Sequence, residues 1–421
     1  MTAEPAAAAS GRATVGSTIP AQTDGSGATV TGSLAASAPL AGSAGGAAAS
    51  SAAPCAAPSD APGVTGDSIT IGEIATVTGP VPGLGQTALA AVRAYVAYRN
   101  ATGGVCGRQL RLESADDGGD AGTYRAAVTD MSTKVLGLAG SFAPADGAGY
   151  DVVQSTGLPI VSSIGEPQLA TLPTVFNINP PPTQPPPAFQ KFRYLVDHGV
   201  HTAAVVTLAA AASIAELDKQ QAMIEAAGIQ VVNRQVLPIS TLSFDSAARA
   251  VANSGAQYLF FLGAENHDAS MAQSMRGTGY SLLYEEYLTG YGSNYVDFAG
   301  SAAEGTTSWI RSLPAEDGGA NTEQALFEQW MGTVAPNDRQ DVFAADAWAS
   351  TKAFFDALAQ LSGPISRAAL VAQLKTDTNY DAGGFIGAID LANDRSNNCV
   401  VGMRVEGGKW HRLTPDQGFL C

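Results

Sequence analysis

Hydroxyl side chains stand at the ends of strand-like runs in the first half of this chain. Thr78, Ser141 and the adjacent pair Ser162 and Ser163 all lie at, or shortly after, the close of an apolar run. Because the carboxyl ends of parallel strands open onto one edge of a sheet, we expect these hydroxyls to line a common crevice. They could hold the polar groups of a small molecule there by hydrogen bonds.

A carboxylate is the group that such an edge suits best. Where a helix begins beyond a strand, unpaired backbone N–H groups and the positive end of the helix dipole stabilise a negative charge without any lysine. The predicted contacts are Ser141, Ser162 and Ser163, with the backbone of Phe142 and Ile164. Helix capping or turn formation is the alternative role for each serine. Ser162 is the weaker candidate, because neighbours in a strand face opposite sides.

Two series of alternating strand-like and helix-like runs must position these residues. The first predicts strands at 68–75, 109–114, 134–139 and 158–161, with helices at 86–100, 123–132 and 149–156. The second, beyond proline clusters at 180–182 and 185–187, predicts strands at 202–208, 229–237, 258–262 and 287–289, with helices at 214–227, 244–253 and 269–276. The proline clusters are typical of a stiff connector. The pattern therefore predicts one parallel α/β unit built twice.

Size and charge restrict the classes of partner. The chain has 421 residues, enough for two domains of ordinary size. Its 38 acidic and 22 basic residues give a formal charge of −16. That charge repels a phosphate backbone, so no nucleic-acid partner is expected. Gly, Pro or charged residues interrupt every apolar run before about 18 residues, the length that a bilayer requires, so we expect the folded part to be soluble.

The first 66 residues differ from the rest in composition. They contain only four charged residues and no aromatic residue, and Ala, Ser, Gly, Thr and Pro dominate. Burial of the few large apolar side chains in this segment cannot offset the entropy that is lost when it becomes ordered. We therefore predict a low-complexity, disordered tether. The start lacks the basic residues and the compact apolar core of a secretory signal. The signal has been removed, the start is misassigned, or the protein is cytosolic.

Four cysteines lie close to loops or chain ends. Their positions favour two disulfides, Cys55 with Cys106 and Cys399 with Cys421. Four cysteines allow three pairings, and free thiols are a further alternative. Cys55 follows small residues and could instead carry a lipid anchor, although the apolar run expected before such a cysteine is missing. No CxxC spacing indicates metal or redox chemistry.

A series of short motifs carries a family resemblance. In order, they are Thr78-Gly79-Pro80, residues 103–108, Ala115-Asp116-Asp117, Gly140-Ser141, residues 159–163, Ala227-Gly228 and residues 302–305. Their order and spacing over residues 67–421 resemble the branched-chain amino acid (Leu/Ile/Val) binding protein family, the type I periplasmic solute receptors of ABC importers. The resemblance implies two Rossmann-like lobes, joined by three crossings that act as a hinge and closing on a small ligand. It places lobe 1 at 67–181 and 303–378, and lobe 2 at 182–302 and 379–421.

The second lobe departs from the amino-acid receptors of this family in two places. Where the family often has a Tyr-Gly pair, this chain has alanines, and Ala210 and Ala211 would form a shallow apolar wall. The loop that would supply an acid for a ligand ammonium instead contains Tyr291. Glu265, beside Asn266, is one possible replacement for that acid. Glu166 and Asp268 are the others, although a solvated loop carboxylate is the commoner role for each.

These departures favour a ligand that is larger or less amine-like than leucine. A buried ammonium without a carboxylate partner costs several kcal/mol, so loss of the acid indicates loss of the ammonium. We predict a carboxylate with an apolar or aromatic body, with Tyr291 stacking on it or donating a hydrogen bond. The resemblance further implies a monomer outside the cytoplasm that delivers this ligand to ABC permease subunits, without a cofactor. A sensing module without transport is the alternative.

Enzyme interpretations are weaker. Residues 83–88 fit the GxGxxA pattern of dinucleotide-binding proteins, and an acidic pair closes the next strand. However, seven residues separate the first strand from that glycine, which would hold the helix away from a pyrophosphate. His198 and His201 could suggest a metal pair but lie in a turn, where polar residues are ordinary. We therefore expect neither an enzyme nor a metal site.

Overall fold

The computed structural model describes residues 55, 57–79, 83–179, 190–292, 294–396 and 398–421. The proline-rich connector and all of the predicted tether before Cys55 lie outside the described residues. The end of the predicted tether is an exception. Val64 is buried, and the Arg108 guanidinium donates to the carbonyls of Cys55, Ala57 and Thr65. The tether prediction is thus wrong for this last segment, because an arginine and a disulfide attach it to the folded chain.

The first lobe is built on a five-stranded parallel sheet in the order β2-β1-β3-β4-β5. Its strands are β1 Ser68–Ala75, β2 Gln109–Asp116, β3 Leu138–Ala139, β4 Ile160–Ser162 and β5 Val175–Asn177. The interior strand β1 is almost wholly buried, as its apolar composition requires. Ile69 and Ile71 belong to one core cluster, whereas Ile74 belongs to the cluster that contains Tyr124 and Val128.

The second lobe is built on a seven-stranded mixed sheet in the order β14-β13-β10-β9-β8-β6-β7. Its strands are β6 Thr202–Leu208, β7 Gln230–Leu237, β8 Tyr258–Leu262, β9 Tyr284–Tyr287, β10 Thr307–Ile310, β13 Val401–Glu406 and β14 Lys409–Thr414. The two last strands pair antiparallel at the edge, and the others are parallel. A short ribbon pairs β11 Ile389–Asp390 with β12 Arg395–Ser396.

Helices connect the strands. They are α1 Gln86–Ala101, α2 Ala121–Lys134, α3 Tyr150–Thr156, α4 Pro167–Ala170, α5 Gln190–Asp197, α6 Ala211–Ala226, α7 Asp245–Ser254, α8 Glu265–Thr278, α9 Tyr295–Ala299, α10 Thr322–Val334, α11 Val342–Ala359 and α12 Arg367–Leu374. Side-chain caps fix several of their starts: Asp120, Asn321, Asp341 and Ser366 each accept from a backbone N–H of the first turn. None of the described helices is both long enough and apolar enough to cross a membrane.

The chain passes between the lobes at three crossings. The first leaves β5 at Ile178, the second begins at Arg311 after β10, and the third runs beside the second, where Ser312 pairs with Ile386. The described parts of the molecule confirm the α/β, two-lobed fold class. Two predicted boundaries are wrong. Residue 303 is too early for the return to lobe 1, because β10 still pairs within the second sheet.

The second wrong boundary is residue 379. Tyr380, Phe385 and Ile389 are buried in the same core cluster as Trp348 of α11, so they belong to the first lobe. The third crossing pairs with the second at Ile386, and the chain enters the second sheet at β13. Apolar content cannot separate these possibilities in sequence, because both lobes accept a buried aromatic residue at these positions.

Several element bounds also differ from prediction. The strand predicted at 134–139 is reduced to β3, because α2 continues to Lys134 and uses the start of that run. The strand predicted at 287–289 is shifted to β9 Tyr284–Tyr287, where two glutamates are buried in the sheet. The helix predicted at 269–276 begins earlier, at Glu265. Charged residues inside a buried strand and a polar first helical turn both hide the element from an apolar pattern.

Both predicted disulfides are present, Cys55 with Cys106 and Cys399 with Cys421. The first attaches the segment before β1 to the loop after α1. The second attaches the chain terminus to the segment before β13. Each lobe thus contains one disulfide.

Candidate functional site

Thr78 lies beyond the carboxyl end of β1 and is held by Asp116. Its hydroxyl and its backbone N–H both donate to that carboxylate, the hydroxyl at 2.6 Å. The amides of Val77 and Gly118 also donate to it. These hydrogen bonds, that of the Thr78 hydroxyl above all, lower the pKa of Asp116 to about 2. The hydroxyl therefore uses its hydrogen to stabilise a loop at the cleft edge, and contact of Thr78 with a ligand stays a prediction.

Ser141 and Ser162 also bond within the protein. Ser141 Oγ accepts from the amide of Ile74 at 3.0 Å, and the amide of Ser141 donates to Ser162 Oγ at 3.0 Å. Both serines are buried, and the Phe142 amide donates to the carbonyl of Ile74 at 3.1 Å. These contacts join β1, β3 and β4 at their carboxyl ends. A ligand contact for either serine stays a prediction.

Ser163 contacts a residue that sequence reasoning missed. Its hydroxyl donates to Asp346 Oδ2 at 2.8 Å. The other oxygen of Asp346 lies 3.5 Å from the guanidinium of Arg311, which also donates to the carbonyl of Ile178 at 3.0 Å. Nothing in the sequence connects these residues, because Asp346 follows Ser163 by 183 positions. The amide of Ile164, the other predicted donor, bonds to Asn177 at 3.1 Å.

Two aromatic rings form an apolar surface on the first lobe. Phe142 follows β3 and Phe343 lies in the first turn of α11, and their ring centroids are 4.4 Å apart. Both rings are only partly buried. Asp341 caps α11 just before Phe343 and fixes its position. Phe142 was a predicted site residue, whereas Phe343 is contributed by a helix distant in sequence.

Asp146 fixes the loop that follows Ser163. It is 4 % exposed, and it accepts from the amide of Gly165 at 2.8 Å and from that of Glu166 at 2.9 Å. Burial raises the pKa of Asp146 to about 7, although the two amides oppose the shift. Glu166, one candidate for the missing acid, has its side chain against Gly147. The Glu166 backbone is fixed in this loop by its hydrogen bond to Asp146.

The edge of the second lobe is small and apolar after β6. Ala210 caps α6 without a side-chain hydrogen bond, and its amide donates to the carbonyl of Leu208 at 2.8 Å. Ala211 begins the helix. This agrees with the expected shallow wall, but contact of either alanine with a ligand stays a prediction.

Glu265 begins α8 at the carboxyl end of β8 and already has partners. Asn294 donates to it from the backbone at 2.9 Å and from the side chain at 3.2 Å, and Arg339 Nη1 lies 3.2 Å away. Asn266 beside it is exposed. Asp268 is fully buried, accepts from Thr289 at 2.7 Å, and has a pKa raised well above its usual range by burial. Neither carboxylate presents a free charge for a ligand ammonium.

Tyr291 packs inside the second lobe. It is 5 % exposed, its hydroxyl donates to Glu316 at 2.7 Å and accepts from the amide of Ala315 at 2.9 Å. Its ring meets Trp410 edge to face at 5.7 Å. Burial raises the pKa of this tyrosine. Contact of Tyr291 with a ligand stays a prediction.

The lobes touch beside the cleft. Arg339 of the first lobe pairs with Glu265 of the second, and a Cβ placed on Gly292 would come within 2.7 Å of the backbone of Asp341. Val342 packs against the core of the second lobe. Burial raises the pKa of Asp341 to about 6, against hydrogen bonds that include one from Thr87. The carboxyl edges of the two sheets thus meet beside the crossings.

Metal and dinucleotide chemistry gain no support from the described part of the chain. No group of three or more His, Cys, Asp or Glu residues is arranged there to hold a metal ion. His198 stacks on Tyr194 at a ring distance of 3.9 Å, and His201 is exposed at the start of β6.

Comparison with known proteins identifies relatives. A family profile described as periplasmic binding protein matches residues 68–409. A putative branched-chain amino acid ABC transporter protein from Rhodospirillum rubrum is 20 % identical, with a TM-score of 0.63 over 82 % of this chain and 100 % of its own. A leucine-binding protein from Thermotoga maritima is 18 % identical, with a TM-score of 0.68 over 82 % of this chain and 98 % of its own. A fatty acid ABC transporter substrate-binding protein from Thermomonospora curvata is 16 % identical, with a TM-score of 0.70 over 86 % of this chain and 94 % of its own. No curated protein matches the sequence.

Proposed function

We propose that this chain, which belongs to the periplasmic binding protein family, captures a carboxylate with an apolar or aromatic body between its lobes and delivers it to an ABC importer. The family is one of extracytoplasmic binding receptors, not enzymes. The observation that carries the proposal is the meeting of the two carboxyl edges beside the three crossings, with a partly exposed pair of aromatic rings at that edge.

The apolar part of the proposed ligand is supported by the aromatic surface. Phe142 and Phe343 are only partly buried, and the edge of the second lobe after β6 is formed by small apolar residues that begin with Ala210. Burial of such rings against an apolar body is favourable by roughly 25 cal/mol for each Å² removed from water. The Thermomonospora curvata protein, which has this fold, is a fatty acid ABC transporter substrate-binding protein.

The absence of an amine in the proposed ligand is supported by the second lobe. Glu265 is paired with Arg339 and Asn294, Asp268 is buried, and loop 290–292 has no acid. An ammonium entering the cleft would have to displace one of these contacts. We therefore propose weak binding of free leucine, isoleucine and valine.

Lobe closure is the proposed mechanism. A ligand that contacts both lobes binds the closed form better than the open form, and shifts the population by that difference in affinity alone. The contacts already formed by Arg339 and by Gly292 at one side of the cleft favour approach of the lobes. We propose that the ligand fills the space that remains between the two lobes in the closed form.

Permease subunits of an ABC importer are the proposed partner. The solved structures of this fold named above include ABC transporter proteins, and the described chain shows no membrane-spanning helix of its own. We propose that the protein acts outside the cytoplasm as a monomer. A sensing role is the alternative, and neighbouring genes for permease and ATPase subunits would favour transport.

Native mass spectrometry of the protein purified from its own cells tests the ligand class. We expect a bound carboxylic acid without an amino group, and small-angle scattering should show a smaller radius of gyration once that acid saturates the protein. Calorimetric titration supplies the control with free leucine. Tight leucine binding would contradict the ligand class, and an unchanged radius of gyration at saturation would contradict closure.

A further inference from the structure

Arg311 occupies the point where the three crossings come together. Its carbonyl accepts from the amide of Gly387 in the third crossing at 2.7 Å, and its guanidinium donates to the carbonyl of Ile178 in the first. The residue itself begins the second crossing. A group bound to this guanidinium would therefore contact the hinge directly.

The Arg311 guanidinium has N–H groups that donate to no described residue. Only Nη2 is engaged, with the Ile178 carbonyl at 3.0 Å and with Asp346 at a long 3.5 Å. Nε and Nη1 have no acceptor among the described residues, and neither atom is fully buried, since the side chain is 22 % exposed. A guanidinium with two adjacent free N–H groups matches the two oxygens of a carboxylate.

Several other donors at this edge are already used. The amides of Phe142 and Ile164 donate to protein oxygens, and the Thr78 hydroxyl donates to Asp116. A carboxylate buried without a partner is costly, so an anion in this cleft requires a donor that is free. The formal charge of −16 makes the requirement stricter, because the overall field of the protein repels an anion.

The guanidinium lies beside the hydroxyl and the aromatic surface that the ligand is proposed to contact. Ser163 and Arg311 approach opposite oxygens of one carboxylate, Asp346. Phe343 precedes Asp346 by three residues in α11, so the two side chains project from the same face of the helix. An apolar body on Phe142 and Phe343 would thus have its acidic end near Arg311.

We infer that Arg311 binds the anionic group of the ligand and is the residue that selects acids over uncharged molecules of the same shape. The inference rests on the proposed function and adds the anchor for its carboxylate. Since Arg311 also bonds to the first crossing, a carboxylate at its free N–H groups links occupancy of the cleft to the hinge.

Arg339, the second guanidinium near the cleft, differs in its surroundings. It pairs with Glu265 at 3.2 Å, and Asp341 lies 3.9 Å away, so two carboxylates face one cation. Its charge is already compensated by its neighbours. Among the described residues Arg311 pairs with one carboxylate, Asp346 at 3.5 Å, whose other oxygen accepts from Ser163.

Calorimetric titration with matched acids and amides tests the inference. The probes are phenylacetate, 3-phenylpropionate and hexanoate, each compared with its primary amide, which keeps the shape and removes the charge. We expect the unmodified protein to bind an acid roughly 10- to 100-fold more tightly than its amide, the range for hydrogen bonds to a charged group. Arg311→Gln should reduce that ratio to about 3 or less while amide affinity changes little.

The variants separate binding from a structural role. A merely structural Arg311 would lower acid and amide affinity alike, leaving the ratio unchanged in Arg311→Gln. Arg311→Lys keeps the charge but not the paired geometry, so it should retain part of the preference, and it serves as the test if Arg311→Gln does not fold. Arg339→Gln is the matched control, in which both affinities shift together and the ratio persists.

Each outcome has a distinct meaning. An acid preference that survives in Arg311→Gln overturns the inference, as does equal binding of acid and amide to the unmodified protein, and in both cases the proposed function stands. If neither acids nor amides of the panel bind, the proposed ligand class fails and the inference fails with it. A preference that is present initially and lost only in the Arg311 variants supports both.

Discussion

The two lobes present different kinds of edge to the cleft. In the first lobe, hydroxyl and carboxyl groups join neighbouring strands, as in the contact of Ser141 with Ser162, and two aromatic rings remain partly open. In the second lobe the edge is small after β6, and its acid, Glu265, is engaged by an arginine of the opposite lobe. A polar residue at a strand end therefore does not by itself indicate a ligand contact, since its hydrogen bonds are used in the protein first.

This difference assigns separate roles to the two edges. We propose that the surface and the charge that select a ligand come from Phe142, Phe343 and Arg311. The second lobe would supply a closing wall, and its contact with the first combines the Arg339–Glu265 pair with the packing of Gly292 and Val342. Four measurements follow, beginning with the covalent staples of the lobes, where the expected effect is largest.

Removing a disulfide should cost the first lobe more than the second. Cys55 and Cys106 are separated by 51 residues, Cys399 and Cys421 by 22. The entropy of loop closure predicts losses of about 4 and about 3 kcal/mol in the free energy of unfolding when each pair is replaced by serine. Urea denaturation of the two double variants measures both. A larger loss for the Cys399 and Cys421 pair would contradict this order.

Asp146 should make the first lobe less stable as the pH rises. Its pKa in the folded chain, about 7, lies above the ordinary value of 3.8 for an aspartate. The contribution of Asp146 to the free energy of unfolding is therefore fully present below about pH 4 and is lost as the pH approaches 7. The loss between pH 4 and 6.5 is roughly 3 kcal/mol.

The variant Asp146→Asn isolates this effect from other titrating groups. Asparagine does not titrate, although it loses one of the two amide hydrogen bonds. The difference in unfolding free energy between variant and unmodified protein should therefore move in favour of the variant between pH 4 and 6.5. A difference that is independent of pH would mean that Asp146 titrates normally.

Loss of a ring from the aromatic surface should reduce ligand affinity with little change in fold stability. Phe343→Ala removes one member of the pair with Phe142, and we expect phenylacetate to bind about 10-fold more weakly, or about 1.4 kcal/mol. Phe298→Ala removes an exposed ring of α9 and is the matched control. Titration calorimetry measures both variants. Equal losses in both would place the surface outside the site.

How far the sequence predicted the molecule depends on the range of the interactions. The alternation of strands and helices, the two-lobed fold and both cysteine pairs are visible in local pattern, and all are confirmed. The lobe boundaries at 303 and 379 are wrong, because β10 and Tyr380 are assigned by long-range packing. Sequence reasoning missed Arg311, Phe343 and Asp346 for the same reason, since the segment after β10 and the helix α11, both distant in sequence from the predicted residues, bring them to this edge.

The smallest expected effect tests whether the second edge acts chiefly by charge. Arg339 and Glu265 are partly exposed, so their pair contributes at most about 1 kcal/mol to lobe contact. The two single variants should nevertheless differ. Arg339→Gln leaves Glu265 with Asp341, two carboxylates without their shared cation, whereas Glu265→Gln leaves Arg339 with Asp341 at 3.9 Å.

The arginine variant should therefore open the ligand-free protein further. Small-angle scattering without ligand should show the larger radius of gyration for Arg339→Gln, and the difference should shrink in 1 M salt, because screening at that concentration acts over about 3 Å. If Glu265→Gln opened the protein as much, repulsion between the carboxylates would have no part in the contact. The lobes would then be held beside the cleft by the packing of Gly292 and Val342 instead, and the second edge would act by shape.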